Sequence, residues 1–431
     1  MGQESPAAAE DRESPARLLT IWAAVALLFA LYVVAVVDRL LVSVLLTPIK
    51  AAFTLTDFSA GLLLGPAFGI FYGVMAFPMG WIADRFGRRL VLFVAVAIWS
   101  LASLASALVT TVAGLIVARC VVAIAEAALS PAAFALIGAM FPPRKAAFPM
   151  AVYATGSSLG FGLALLMGGH LGVIGTVEVP LIGILHRWQA GFISTAVIGL
   201  VISPLIFLLP GGGQSSEQLA EARRVKLKPF LAQNLRRIVG LLVLFGIMAI
   251  VGVSLQLWSA PHAQRMFGAS AAAPMAIMGT VAAVAGSFVT GRGAVLLRQR
   301  GSANAYVLIS LFVTVLALPV SALGFLSSSQ AIFVGTFAFT MLLFAPFIGY
   351  AAAAFNEFTP EPLRARVGAI FFTMIAMAGS VVGPPLVGAL SEGFGGAQHL
   401  GEAMATVNVV ACILIAATAL IIMRAKPGSG T

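Results

Sequence analysis

The sequence predicts an all-α membrane protein: twelve transmembrane helices in two six-helix bundles. Three observations carry this. Of 431 residues, 61% are apolar and only 9% are charged, whereas an ordinary globular domain is about a quarter charged. The charge-free stretches are long: 29 residues between Arg89 and Arg119, and 56 between Arg300 and Glu357, against about 20 for one bilayer span. A flexible, charged interruption also divides the chain near its middle, at Pro210-Gly-Gly-Gly-Gln-Ser-Ser.

These features exclude other classes. The net charge of +10 is not a nucleic-acid footprint, because the bases are scattered singly between apolar runs. Cys120 and Cys412 both lie inside apolar runs, so neither a disulfide framework nor a zinc site is expected. No phosphate-binding G-x-x-x-x-G-K-[ST] is present to couple ATP. No cofactor or metal is expected, and nucleic acid is not expected as a partner.

Taken in order, helices are expected near 20–46, 58–83, 90–108, 112–140, 148–174 and 188–210. A second set is expected near 236–264, 270–296, 303–325, 330–356, 366–390 and 400–423. Barrel strands would alternate over about ten residues and do not fit such continuous runs. The first span is too long for a cleaved signal core of about 7–15 residues and contains Asp38 and Arg39. The domain reading is a disordered tail at 1–18, a first bundle at 19–210, a linker at 211–235, a second bundle at 236–424 and a tail at 425–431. Glu217 to Lys228 in the linker can form a short surface helix, read first as part of a passive linker, with the alternative that its bases hold anionic lipid heads at the inner leaflet.

Charge asymmetry sets the orientation. With both termini cytoplasmic, only Lys50, Arg187 and Arg265 fall on the opposite side, Arg39 and Arg119 stay within the membrane, and the other 20 of 25 bases are cytoplasmic. The expected location is the inner (plasma) membrane. The halves are related by a weak repeat: Phe141-Pro142-Pro143 with following bases recurs 217 residues later as Phe358-Thr359-Pro360 with Arg364 and Arg366.

After the second span comes Gly80-Trp-Ile-Ala-Asp84-Arg85-Phe-Gly87-Arg88-Arg89. It resembles the signature loop of the major facilitator superfamily, at that family's position between helices two and three, and so implies the major facilitator fold. Gly80 would let two helices approach, and Gly87 would allow a tight turn. Asp84, with Arg85, Arg88 and Arg89, would latch the cytoplasmic face. The corresponding Gly291-Arg292-Gly293 to Arg298 region has no acid, so the latch should be one-sided.

Four ionisable residues remain inside the membrane: Asp38 and Arg39 in the first span, Arg119 and Glu126 in the fourth. Each costs about 2.5–3.5 kcal/mol at a helix centre, so pairing is expected. Arg119 and Glu126 are two turns apart on one face, while Asp38 and Arg39 point about 100° apart and can serve different partners. Two acids and two bases cancel when all are ionised. One proton then leaves a positive site, as coupling to an anionic or zwitterionic cargo requires. Asp38 is slightly favoured as the proton carrier and Arg119 as the anchor.

Val37-Asp38-Arg39-Leu40 with Pro48-Ile49-Lys50, and Arg119 through Glu126-Ala127 with Ser130-Pro131, resemble helices one and four of spinster-type lipid transporters. Phe141-Pro142-Pro143-Arg144 and Arg187-Trp188 fit as well, although Ala125 replaces the usual glycine. The resemblance covers residues 30–210 and implies a proton-coupled carrier of lysophospholipid or sphingolipid-like amphiphiles; the chain is long enough for a monomer to suffice, and a monomer is expected. Organic-anion symporters of the same superfamily share the helix-one Asp-Arg and are the rival family. No charge lies between Gly301 and Asn356 in the second half, whose expected cavity residues include Gln256, Trp258, Phe371 and Phe372. Gly156-Ser-Ser158-Leu-Gly160 matches a nucleophile elbow as a string, but it sits inside a span and reads as helix packing.

Overall fold

A computed structural model of the chain describes residues 15–141, 145–173, 175–179, 183–209, 227–302, 304–344, 346–360 and 363–424. Among these, eleven helical stretches are long and apolar enough to cross a bilayer. The longest, Leu235–Gln299, has 65 residues. It is two helices, because Gly268 turns the chain at φ +69° into a short 3-10 segment. Counted so, the spans number twelve.

The first half runs α1 (Pro15–Val44), the short α2 (Leu46–Phe53), α3 (Asp57–Leu64) and α4 (Pro66–Phe86) as the second span, and α5 (Arg88–Leu108). It continues with α6 (Val112–Glu126) and α7 (Leu129–Met140) as the fourth span, α8 (Ala147–Leu171) and α9 (Arg187–Ile202), the last extended by a 3-10 turn at Ser203–Leu208. In the second half α10 (Leu227–Gln233) precedes α11 (Leu235–Phe267), α12 (Ala272–Gln299) and α13 (Ala305–Phe325). Then come α14 (Gln330–Phe344) with α15 (Phe347–Phe358) as the tenth span, α16 (Arg364–Gly393) and α17 (Leu400–Arg424).

Three local departures from the expected elements stand out. Helix α1 is described from Pro15 onward, so it reaches into the expected tail at 1–18. The second span breaks at Gly65, whose backbone leaves helical geometry ahead of Pro66. Between spans five and six the chain folds into an unexpected antiparallel hairpin, β1 (Thr176–Val179) with β2 (Gly183–His186). The expected surface helix at Glu217–Lys228 falls almost wholly outside the described residues, as do Pro142, Pro143 and Arg144.

Within the first half α1 lies along α8, and α5 packs against α6 and α9; within the second, α11 lies along α16, α12 along α14 and α13 along α17. Two seams join the halves: α3 and α4 against α16, and α8 against α12. In span numbers these are two with eleven and five with eight. Moving six spans along the chain converts one seam into the other, so the seams are counterparts under the half-chain repeat.

Glycine makes the first seam close. A Cβ on Gly61 would sit 2.6 Å from the Pro384 carbonyl oxygen, and one on Gly65 would sit 2.1 Å from that of Ser380. Without hydrophobic drive between helices in lipid, such backbone approach supplies the packing. By contrast, among the described residues a Cβ on Gly80 would meet nothing within 4 Å. Among them the close approach is carried by Gly61 and Gly65 instead of Gly80. Gly87 takes φ +92° between α4 and α5, as the tight turn requires. Gly160 packs into Val36 on α1, in accord with a helix-packing role for the Gly156–Gly160 string. Large apolar side chains such as Phe288, Val201 and Leu208 stay mostly exposed, a coat suited to lipid.

Candidate functional site

Below, the terminal face is the one where α1 begins and α17 ends; the far face is the other. Span one presents Asp38 and Arg39 to span four, and the structure pairs them crosswise. Arg119 Nη1 donates to Asp38 Oδ2 at 2.9 Å, and Arg39 Nη2 donates to Glu126 Oε2 at 2.9 Å. Arg119 and Glu126 lie seven residues apart, a rise of about 10 Å, which the two long arginine stems bridge.

The two pairs differ in their surroundings. Asp38 is fully buried and every oxygen is committed: Oδ1 accepts from Ser103 Oγ and from Thr195 Oγ1 (2.8 Å), and Oδ2 accepts from Arg119. Arg119 is itself only 1% exposed, and its Nη2 also reaches the Asp38 carbonyl. Spans one, three, four and six are thereby tied around one charge. Glu126 is also buried, but only Oε2 is engaged; among the described residues Oε1 has no hydrogen-bond partner. The Arg39 side chain is 28% exposed and lies 4.8 Å from the Phe68 ring centroid and 4.6 Å from that of Tyr72. Those stacked rings hold the guanidinium by cation–π attraction while one edge stays accessible.

Ser103 and Thr195 escaped the sequence reading. A signal existed: Ser100, Ser103 and Ser106 recur at three-residue spacing in a charge-free span, and all three are fully buried. Nothing local in the sequence marks Thr195.

At the terminal face Arg85 stands over Trp81 and Phe86, and Arg88 Nη1 donates to the Ala135 carbonyl of span four at 3.2 Å. Arg89 Nε is buried with no hydrogen-bond partner among the described residues. The Asp84 side chain lies outside the described residues. In the second half Arg298 Nη1 reaches Glu357 Oε1 at 2.5 Å, so the tenth span supplies the acid that the Gly291–Arg298 region lacks. The expected cavity residues divide. Trp258 and Phe371 are packed inside, with the Trp258 indole donating to the Pro384 carbonyl, whereas Gln256 and Phe372 are exposed.

The far face holds a second charged cluster that the sequence reading did not single out. Asp57, 2% exposed, accepts from Lys50 and, in a two-pronged contact, from Arg265, whose Nη1 reaches Oδ2 at 3.1 Å and Nη2 reaches Oδ1 at 2.7 Å. Ser391 Oγ donates to Oδ2 at 2.7 Å. Nearby, Ser43 Oγ donates to the Leu257 carbonyl, and Gln264 Nε2 donates to that of Val44. Each contact except that of Lys50 crosses between the halves.

Two helical halves joined along repeat-related seams, with an ion-paired site buried in the first, define a membrane transporter. Residues 28–384 match the family model described as the Major Facilitator Superfamily, and the chain belongs to that family. It is a multi-pass secondary transporter and not an enzyme. Over 402 residues it is 30% identical to an MFS-type efflux pump of Mycolicibacterium smegmatis, covering 91% of this chain and 90% of that protein. Shorter matches are to the hexuronate transporter of Bacillus subtilis (31% identical; 42% of this chain, 40% of that protein) and the sphingosine-1-phosphate transporter of Danio rerio (32%; 30% of this chain, 26% of that protein). This chain thus spans well under half of those two relatives. In fold it is similar to a bacterial homologue of the lysosomal transporter spinster, solved inward-facing and unoccupied, with a TM-score of 0.77, 21% identity and coverage of 96% of this chain and 98% of that one.

Proposed function

We propose that the protein carries lysophospholipid- or sphingolipid-like amphiphiles by proton-coupled alternating access, rocking bundles 19–210 and 236–424 about the charge site. One observation carries this reading: the half-accessible pair of Arg39 and Glu126, with a bare buried oxygen on Glu126. That oxygen can take a proton without displacing a donor, whereas on Asp38 a proton must compete with three. The proton carrier is therefore Glu126 and the head-group anchor is Arg39; Asp38 and Arg119 form the fixed brace behind them. A proton on Glu126 frees the Arg39 fork for an anionic or phosphate-bearing group.

The second half supports an amphiphile. At its terminal-face end lies a narrow crevice of about 20 Å³ walled by Leu231, Ile238, Leu242, Phe355, Val367 and Phe371, and its wholly apolar lining, rather than its size in this state, suits an acyl chain. The basic terminal face is cytoplasmic in this scheme and lies in the inner membrane. The relatives named above support cargo ranging from a sphingolipid phosphate to a sugar acid, and the alternative is a proton-coupled symporter of small organic anions.

Proteoliposome uptake under an imposed pH gradient separates the two. For lysophospholipids of increasing chain length, affinity should rise about fourfold per methylene until the cargo cavity is filled, from roughly 0.8 kcal/mol each. A flat or falling series, with hexuronate taken up instead, refutes the lipid reading and leaves the transporter assignment intact.

A further inference from the structure

The far-face cluster is built from an uneven set of charges. One carboxylate, Asp57, holds two cations, and both address the same oxygen: Lys50 and the Nη2 of Arg265 each donate to Oδ1. The cations belong to different halves. Lys50 lies on α2, seven residues before Asp57, and moves with it; Arg265 closes α11 in the second half, anchored there by a 3.1 Å bond to the Ala397 carbonyl. Ser391 of α16 completes the grip, and its neighbour Glu392 accepts from the Phe58 amide at 2.7 Å.

We propose that Lys50 and Arg265 compete for Asp57 and that this competition sets the far-face gate. Arg265, with Ser391, clamps the halves together. Lys50 weakens the clamp, because two like charges crowd one carboxylate oxygen, and it keeps Asp57 paired when Arg265 leaves. Glu392 is exposed, so solvent screens most of its influence on the pair. Opening the gate therefore strands no buried acid: the first half departs with a neutral Lys50–Asp57 pair. A passive ion-pair cluster would lose stability whichever cation were removed. A competition has opposite signs for the two, and that difference is the test.

The inference needs only alternating access and not the lipid or proton readings. Spin labels at Leu108→Cys and Leu326→Cys, both exposed at far-face helix ends of opposite halves, would report separation by double electron–electron resonance. Cys120→Ser and Cys412→Ser remove the native thiols. The purified full chain in nanodiscs needs no added cargo, and a Ser391→Ala background weakens the clamp enough for either direction to be read. Arg265→Gln should raise the open-to-closed ratio by roughly ten- to a hundredfold, the scale of a lost charged hydrogen bond. Lys50→Gln should lower it severalfold. Ser391→Ala alone, which strands no charge, should raise it two- to tenfold and so reports the clamp, while Lys50→Gln, which leaves Asp57 paired with Arg265, tests the competition even where Arg265→Gln misfolds. A rise on Lys50→Gln, or no change on Arg265→Gln and Ser391→Ala, overturns the proposal.

Discussion

Neutralising the two buried acids one at a time should give unlike defects, and the structure sets the sizes. Asp38→Asn leaves Arg119, 1% exposed, without its carboxylate in a packed interior. Breaking a buried pair in this way costs about 3–5 kcal/mol. Glu126→Gln leaves an amide oxygen that still accepts from Arg39, and the Arg39 side chain is 28% exposed and can be solvated. The loss there is the difference between a charged and a neutral hydrogen bond, about 1–1.5 kcal/mol. Purified Asp38→Asn should therefore melt well below Glu126→Gln in a detergent thermal-unfolding assay. In proteoliposomes Glu126→Gln should bind cargo and exchange it at equilibrium yet fail to concentrate it under a pH gradient, since its bare oxygen can no longer cycle a proton. Full pH-driven uptake by Glu126→Gln, or a Glu126→Gln variant less stable than Asp38→Asn, would refute the division into carrier and brace.

Three further expectations concern the anchor and the seams. Arg39→Lys should slow initial uptake nearly as much as Arg39→Ala, because an ammonium keeps the charge but neither forks onto two oxygens nor stacks flat on Phe68 and Tyr72. Gly65→Ala places a methyl group against the Ser380 backbone and should weaken far-face closure by about 1–3 kcal/mol, whereas Gly80→Ala meets nothing among the described residues and should leave inter-spin distances unchanged. Asp84→Asn should favour molecules open at the terminal face by about 1–3 kcal/mol, read as faster labelling of single cysteines at the terminal-face ends of spans four and ten; unchanged labelling counts against a latch.

The sequence by itself determined the class of protein and the residues with unavoidable consequences. Apolar runs long enough to span a bilayer must be helices, and four charges inside them must find partners, so twelve spans and the set Asp38, Arg39, Arg119 and Glu126 were legible from composition and spacing. Which acid meets which base was not. Residues 38 and 39 can turn toward either end of span four, and only the packing of spans three and six, through Ser103 and Thr195, commits Asp38 to the interior and leaves Glu126 with a bare oxygen. Asp57 was illegible for the same reason. Beside a loop it reads as a surface acid, and its burial depends on Arg265 and Ser391, 208 and 334 residues away. Local periodicity fixes which residues must be buried; the close approach of one half to the other decides what each of them touches.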